Sequence, residues 1–91
     1  MVGVLRLRLH FPGCRTLKDK RHIIKSLNQR VRQIFQVAVA EVGDQDRPAF
    51  CELEIAGVAN RRAQIHKVLT AVSRTYEQRP DIQIIDVEME L

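Results

Sequence analysis

Arg15, Lys18, Lys20, Arg21, Lys25, Arg30 and Arg32 crowd into one segment whose single acid is Asp19. Cations spaced in this way can bind phosphate without reading a base, the alternative being a solvated helix face of ordinary solubility charge. Residues 1–40 carry nine Lys/Arg against that one acid, whereas residues 41–91 carry six against ten. The net charge of +4 is therefore a local asymmetry, which marks a surface. On a helical wheel Lys18, Arg21, Lys25 and Arg32 fall within about 60° of one another, along roughly 21 Å of helix axis. Such a stripe can face three or four backbone phosphates. Arg15 and the free N–H groups of the first helical turn extend it toward Gly13 as an anion-attracting end. Lys20 breaks the apolar arc of the same helix. Its ammonium is expected either to snorkel to water past the sheet edge or to join the anion contacts.

Other chemistry finds little support. His10, His22 and His66 share no metal-ligand spacing, and Cys14 and Cys51 form no Cys-x-x-Cys pair, so neither a metal nor another cofactor is expected. Asp44 and Asp46 lack the other ligands of a calcium loop and read as turn formers. No nucleophilic triad or Gly-Lys-Thr phosphate loop is present, so no catalytic residue is assigned and no small-molecule substrate is expected. The two cysteines read as free thiols of a reducing compartment.

The elements that must position these groups follow from periodicity. Val2 to Phe11 alternates, with Leu5, Leu7, Leu9 and Phe11 opposing Val4, Arg6, Arg8 and His10. Pro12-Gly13 ends this strand, and Thr16 with Asp19 makes a capping box for a helix to about Phe35. Leu17, Ile23, Ile24, Leu27, Val31, Ile34 and Phe35 form its predicted packing face. Val37 to Val42 is a short strand, residues 43–48 a turn, and Phe50 to Ala59 a third strand. Asn60 is placed to cap a second helix packed through Ile65, Val68, Leu69, Val72 and Tyr76, which must end before Pro80. Ile82 to Leu91 is the last strand, with Ile85, Val87, Met89 and Leu91 inward and Asp86, Glu88 and Glu90 outward.

At 91 residues, 45% of them hydrophobic, the chain makes one α+β domain over residues 1–91. The order predicts a ferredoxin-like βαββαβ sandwich, two helices on one face of a four-stranded antiparallel sheet. Strand order 4-1-3-2 sets Arg6 and Arg8 between acidic strands, where cross-strand pairing neutralises them. No segment has the length and apolarity of a membrane span or the pattern of a leader, so the chain reads as cytoplasmic and free of membrane.

The sequence also resembles the YlxP-like family of small bacterial proteins. The match is carried by Gly3-Val4-Leu5-Arg6, Pro12-Gly13, Arg15-Thr16-Leu17-Lys18-Asp19-Lys20-Arg21, Val39-Ala40-Glu41-Val42 with Asp46, and Asn60. The resemblance implies the ferredoxin-like fold and, through the family's usual gene neighbours, a link to translation or ribosome maturation. It supplies no catalytic residue. Relatives often carry an aromatic just after the position of Asp46, where this chain has Arg47-Pro48.

Charge and resemblance together lead to a non-enzymatic accessory protein that binds RNA, or RNA on the ribosome, through Arg15, Lys18, Lys20, Arg21, Lys25 and Arg32. Two readings compete with it. One is an acylphosphatase-like enzyme holding phosphate in the Phe11-Pro12-Gly13-Cys14-Arg15 turn, although the longer glycine-containing signature is missing. The other is a protein-docking or dimerisation module that uses the charged sheet face, with a homo-oligomer as its simplest form.

Overall fold

The computed structural model describes all residues, Met1 to Leu91. Six elements follow in the expected order: β1 (Val2–His10), α1 (Leu17–Phe35), β2 (Ala38–Gly43), β3 (Phe50–Val58), α2 (Arg62–Glu77) and β4 (Gln83–Glu90). The strands make one antiparallel sheet in the order β2-β3-β1-β4, with β1 and β3 central. This is the ferredoxin-like sandwich. Leu5, Leu7 and Leu9 of β1 and Cys51, Leu53 and Ile55 of β3 supply the buried face of the sheet, all of them essentially without exposure. Ile24, Leu27 and Val31 of α1 and Ile65, Leu69, Val72 and Tyr76 of α2 close over it.

Local chemistry sets the element ends. Thr16 caps α1 by accepting from Asp19 N at 3.1 Å, while Asp19 Oδ2 accepts from Thr16 N at 3.1 Å, a complete capping box. Gln36 ends the helix in the left-handed region, at φ 53°. Helix α2 begins one residue later than Asn60 would dictate. Arg61 occupies its N-cap position and offers no side-chain cap, while Ala59 N is bound to Met1 O beyond the end of β3. Close packing beside that turn needs Gly3, since a Cβ there would collide with Ile65 Cγ2.

Two apolar assignments are corrected. The buried arc of α1 centres on Lys20, Ile24, Leu27, Asn28 and Val31, and Ile34 is 65% exposed. The helix is turned toward Asn28 because Tyr76 of α2, wholly buried, donates its hydroxyl to Asn28 Oδ1 at 2.7 Å. A buried phenol needs such a partner. Burial also pushes the Tyr76 hydroxyl pKa upward. In β4 the register shifts opposite Arg8 and Leu9, so that Asp86 faces Arg8 while Ile84 faces Leu9. Ile85 is the extra residue of this bulge, and Ile84 takes its inward place.

Lys20 departs furthest from expectation. Its side chain is 1% exposed and its ammonium neither snorkels nor faces an incoming anion. Nζ donates to Asp44 O at 2.8 Å, to Phe50 O at 3.0 Å and, longer, to Gln45 O at 3.4 Å. Glu41 Oε1 lies 3.1 Å away and supplies the countercharge, although that oxygen accepts no well-directed hydrogen bond. Glu41 faces Leu53 in the β2–β3 register, so it projects to the helix side of the sheet. Helix α1 is thereby clamped to both ends of the β2–β3 connector.

Both cysteines are free and buried. Burial first, and Glu41 second, push the Cys51 thiol up to about 12; burial and then Asp19 and Asp81 raise that of Cys14. The Cys51 thiol, wholly buried, therefore stays protonated and shielded near pH 8. It is not expected to react with a disulfide reagent such as DTNB at that pH in the native protein, and it should titrate once guanidinium unfolds the chain. Rapid native labelling of Cys51 would contradict this packing.

Lys20→Met keeps the aliphatic stem and strips the charge, leaving Glu41 without its countercharge and the connector carbonyls without the ammonium. A loss of about 3 kcal/mol in unfolding free energy is expected from urea titration. A loss within about 0.5 kcal/mol, the range of an ordinary surface substitution, would show that the clamp is not structural.

Candidate nucleic-acid interface

Lys18, Arg21 and Lys25 are exposed along α1, and none has an acid within ion-pair distance. With Gly13, His22 and Asp81 they line an open concavity of about 790 Å³ beside the first turns of the helix. Arg32 is also exposed, but its Nη2 donates to Val39 O at 2.7 Å, so this guanidinium partly serves to tie α1 to β2. The structure thus brings Lys18, Arg21 and Lys25 together and gives Arg32 a second task. Lys20 leaves the set, because an ammonium enclosed by carbonyls and a carboxylate cannot reach a phosphate.

The helix N-terminus differs from expectation too. Arg15 is exposed, but its backbone N–H and that of Thr16 both donate to Asp19 Oδ2, at 3.2 and 3.1 Å. Those bonds hold the Asp19 carboxyl below the usual carboxylate range. A built-in anion therefore occupies the place offered to a phosphate, and Arg15 contributes only its side chain. Asp81, which also lines the concavity, is engaged by Arg79 through Nε at 3.0 Å and Nη2 at 2.8 Å, so it is partly neutralised.

Across the molecule the charge divides by layer. The two helices carry nine Lys/Arg and two acids, and the four strands carry two and six. On the open sheet face Arg6 Nε meets Glu54 at 2.8 Å and its Nη1 meets Glu90 at 3.1 Å, while Arg8 Nε lies 3.5 Å from Glu52. The expected ladder is present. At one end of this face the Arg47 guanidinium sits 4.1 Å above the Phe50 ring, which stacks at 5.0 Å on His10, and His10 Nδ1 lies 2.9 Å from Gln83 Oε1. Sequence reasoning missed this stack. The pairing of β1 with β3 that sets His10 opposite Phe50 was its only advance signal. No group of three or more His, Cys, Asp or Glu is arranged to hold a metal ion, and no helix is long and apolar enough to cross a membrane.

Because Arg6 and Arg8 already face carboxylates, Arg6→Gln with Arg8→Gln is expected to lower the thermal melting temperature measured by circular dichroism. An unchanged melting temperature would show that the ladder adds nothing to stability.

Comparison with known proteins agrees with the architecture. The family model described as "Protein of unknown function (DUF503)" matches residues 2–89. "Uncharacterized protein YlxP" of Bacillus subtilis (strain 168) is 30% identical over 83 residues, covering 91% of this chain and 90% of that protein. Among solved structures, a de novo designed protein with a ferredoxin fold, determined by solution NMR, superposes with a TM-score of 0.67 at 13% identity, over 100% of this chain and 86% of its own. That likeness concerns the fold alone. With nearly its whole length inside the family model and a YlxP relative at this identity, the chain belongs to the DUF503, YlxP-like family.

Proposed function

We propose that this protein is a non-enzymatic RNA-binding accessory factor that holds the phosphate backbone along α1. The observation that supports the reading is the row Lys18, Arg21 and Lys25, exposed, without ion-pair partners, and beside an open concavity. Ordinary solubility charge on a helix mixes acids with bases at i,i+4 spacing, and here the only acid of α1 is consumed by its own cap. The acidic character of the strands disfavours the sheet as the phosphate-binding side, in contrast to RNA-recognition domains that stack bases on sheet aromatics. The family's gene neighbourhood, implied by the resemblance, directs the proposal to structured RNA of the translation machinery in the cytoplasm.

Phosphate contacts release counterions, so affinity should fall with salt, with a log–log slope of roughly −2 for the three contacts of Lys18, Arg21 and Lys25 on single strands. Lys18→Gln with Lys25→Gln removes two cations that hold no other part of the structure. It is expected to flatten the slope by about 1.4 and to weaken unrelated RNAs by similar factors. Lys67→Gln with Arg74→Gln on α2 removes the same charge and serves as the control. Equal losses from both double variants, measured by fluorescence anisotropy across a salt series, would reduce the effect to net charge and end the claim for α1.

A further inference from the structure

We infer that the free edge of β4 is a docking site for an extended partner segment in which apolar residues alternate with Arg or Lys. β4 lies at the margin of the sheet and pairs only with β1, so its outer edge offers unpaired backbone groups over the strand Gln83–Glu90. It holds no Lys, Arg or Pro; what guards the edge is its acids Asp86, Glu88 and Glu90 and the bulge at Ile85, so like-charged strands are repelled while a cationic one is not. Ile85 is 49% exposed, Val87 46% and Leu91 37%, although Val87 faces fully buried Leu7 across the β1–β4 ladder. Ile84 and Met89 pack against the core, so α2 covers this margin only in part and leaves Ile85 and Val87 exposed.

Charge decides the occupant. Asp86 and Glu88 are exposed, and neither forms an ion pair; of the β4 acids only Glu90 is engaged, by Arg6. A second copy pairing β4 against β4 would bring acids onto acids, and like charges placed across strands are destabilising. The inner edge of β4 shows which pattern does fit. There β1 lies antiparallel with Arg6 opposite Glu88, Arg8 opposite Asp86, and Leu7 opposite Val87. A partner strand with the same alternation would pair its backbone with the outer edge, set its cations against Asp86 and Glu88, and lay its apolar residues beside Val87 and Met89. This is β-strand addition with charge-selected register. It is independent of the RNA reading, since it uses the opposite charge on a different element.

The test uses the full chain and three labelled octapeptides: alternating Val-Arg, alternating Val-Glu, and a block peptide with four Val followed by four Arg. The Val-Arg peptide is expected to bind and to slow amide hydrogen exchange selectively within Gln83–Glu90. Asp86→Asn with Glu88→Gln, if its circular dichroism and melting match the parent, should weaken that binding by about fivefold. The Val-Glu peptide should not bind. Equal affinity for the block peptide, protection centred outside β4, or unchanged affinity of the double variant would each overturn the inference. So would sedimentation showing a dimer of the chain whose exchange protection maps to β4, because a second copy would then hold the edge.

Discussion

A single ammonium, buried where the sequence suggests an exposed one, organises one pole of this protein. Lys20 gathers the carbonyls of Asp44 and Phe50 and the carboxylate of Glu41, so α1, the end of β2 and the start of β3 share one anchor. Removing a charge from water is costly, and the cost is offset only when the group is almost fully coordinated. The connector supplies that coordination with backbone oxygens, among them that of Asp44, which also accepts from Arg47 N at 3.1 Å. Asp44 takes the left-handed conformation, at φ 59°, as the chain turns around the ammonium. With the connector held there, Phe50 is presented to His10 on one side and Arg47 on the other.

The clamp also explains how a strongly basic helix can pack on a sheet. Of the six Lys/Arg in α1, the one that points inward is neutralised internally, and one further cation, Arg32, is partly spent on Val39 O. The rest remain on the outer surface. Asn28, the other polar residue in the buried arc, is satisfied by Tyr76. Helix α1 therefore meets its neighbours through two buried polar contacts, of Lys20 and Asn28, set among Ile24, Leu27 and Val31, and these contacts fix its rotation more narrowly than aliphatic packing would. That rotation carries Ile34 into solvent and leaves Lys18, Arg21 and Lys25 facing outward.

Two layers of opposite charge result. The helix layer is basic and largely unpaired, whereas the sheet pairs its few arginines with glutamates and keeps an excess of acid, most of it on β4. One side carries free cations and the other free carboxylates. The same molecule can present both at once, since the sheet with its core separates them.

The alternation of β1 and β3, the capping box at Thr16 and the breaks at Gly13 and Pro80 are local signals, so the six elements and the ferredoxin-like order were legible from the sequence alone. The ladder of Arg6 and Arg8 was legible too, because the strand order sets those residues between the acidic strands. The basic stripe was visible as composition and spacing. What each cation does was not, because partners distant in sequence determine it: Glu41 and Phe50 for Lys20, Val39 for Arg32. A hint lay in the chain, since a lone Lys on an apolar arc and a lone Glu on the Val39 side of a strand are each anomalous alone and complementary together. The bulge at Ile85, the turn of α1 toward Asn28 and the partly covered margin of β4 depend on how the layers meet. Periodicity states which residues share a face, while the packing of helix on sheet decides which part of that face is covered.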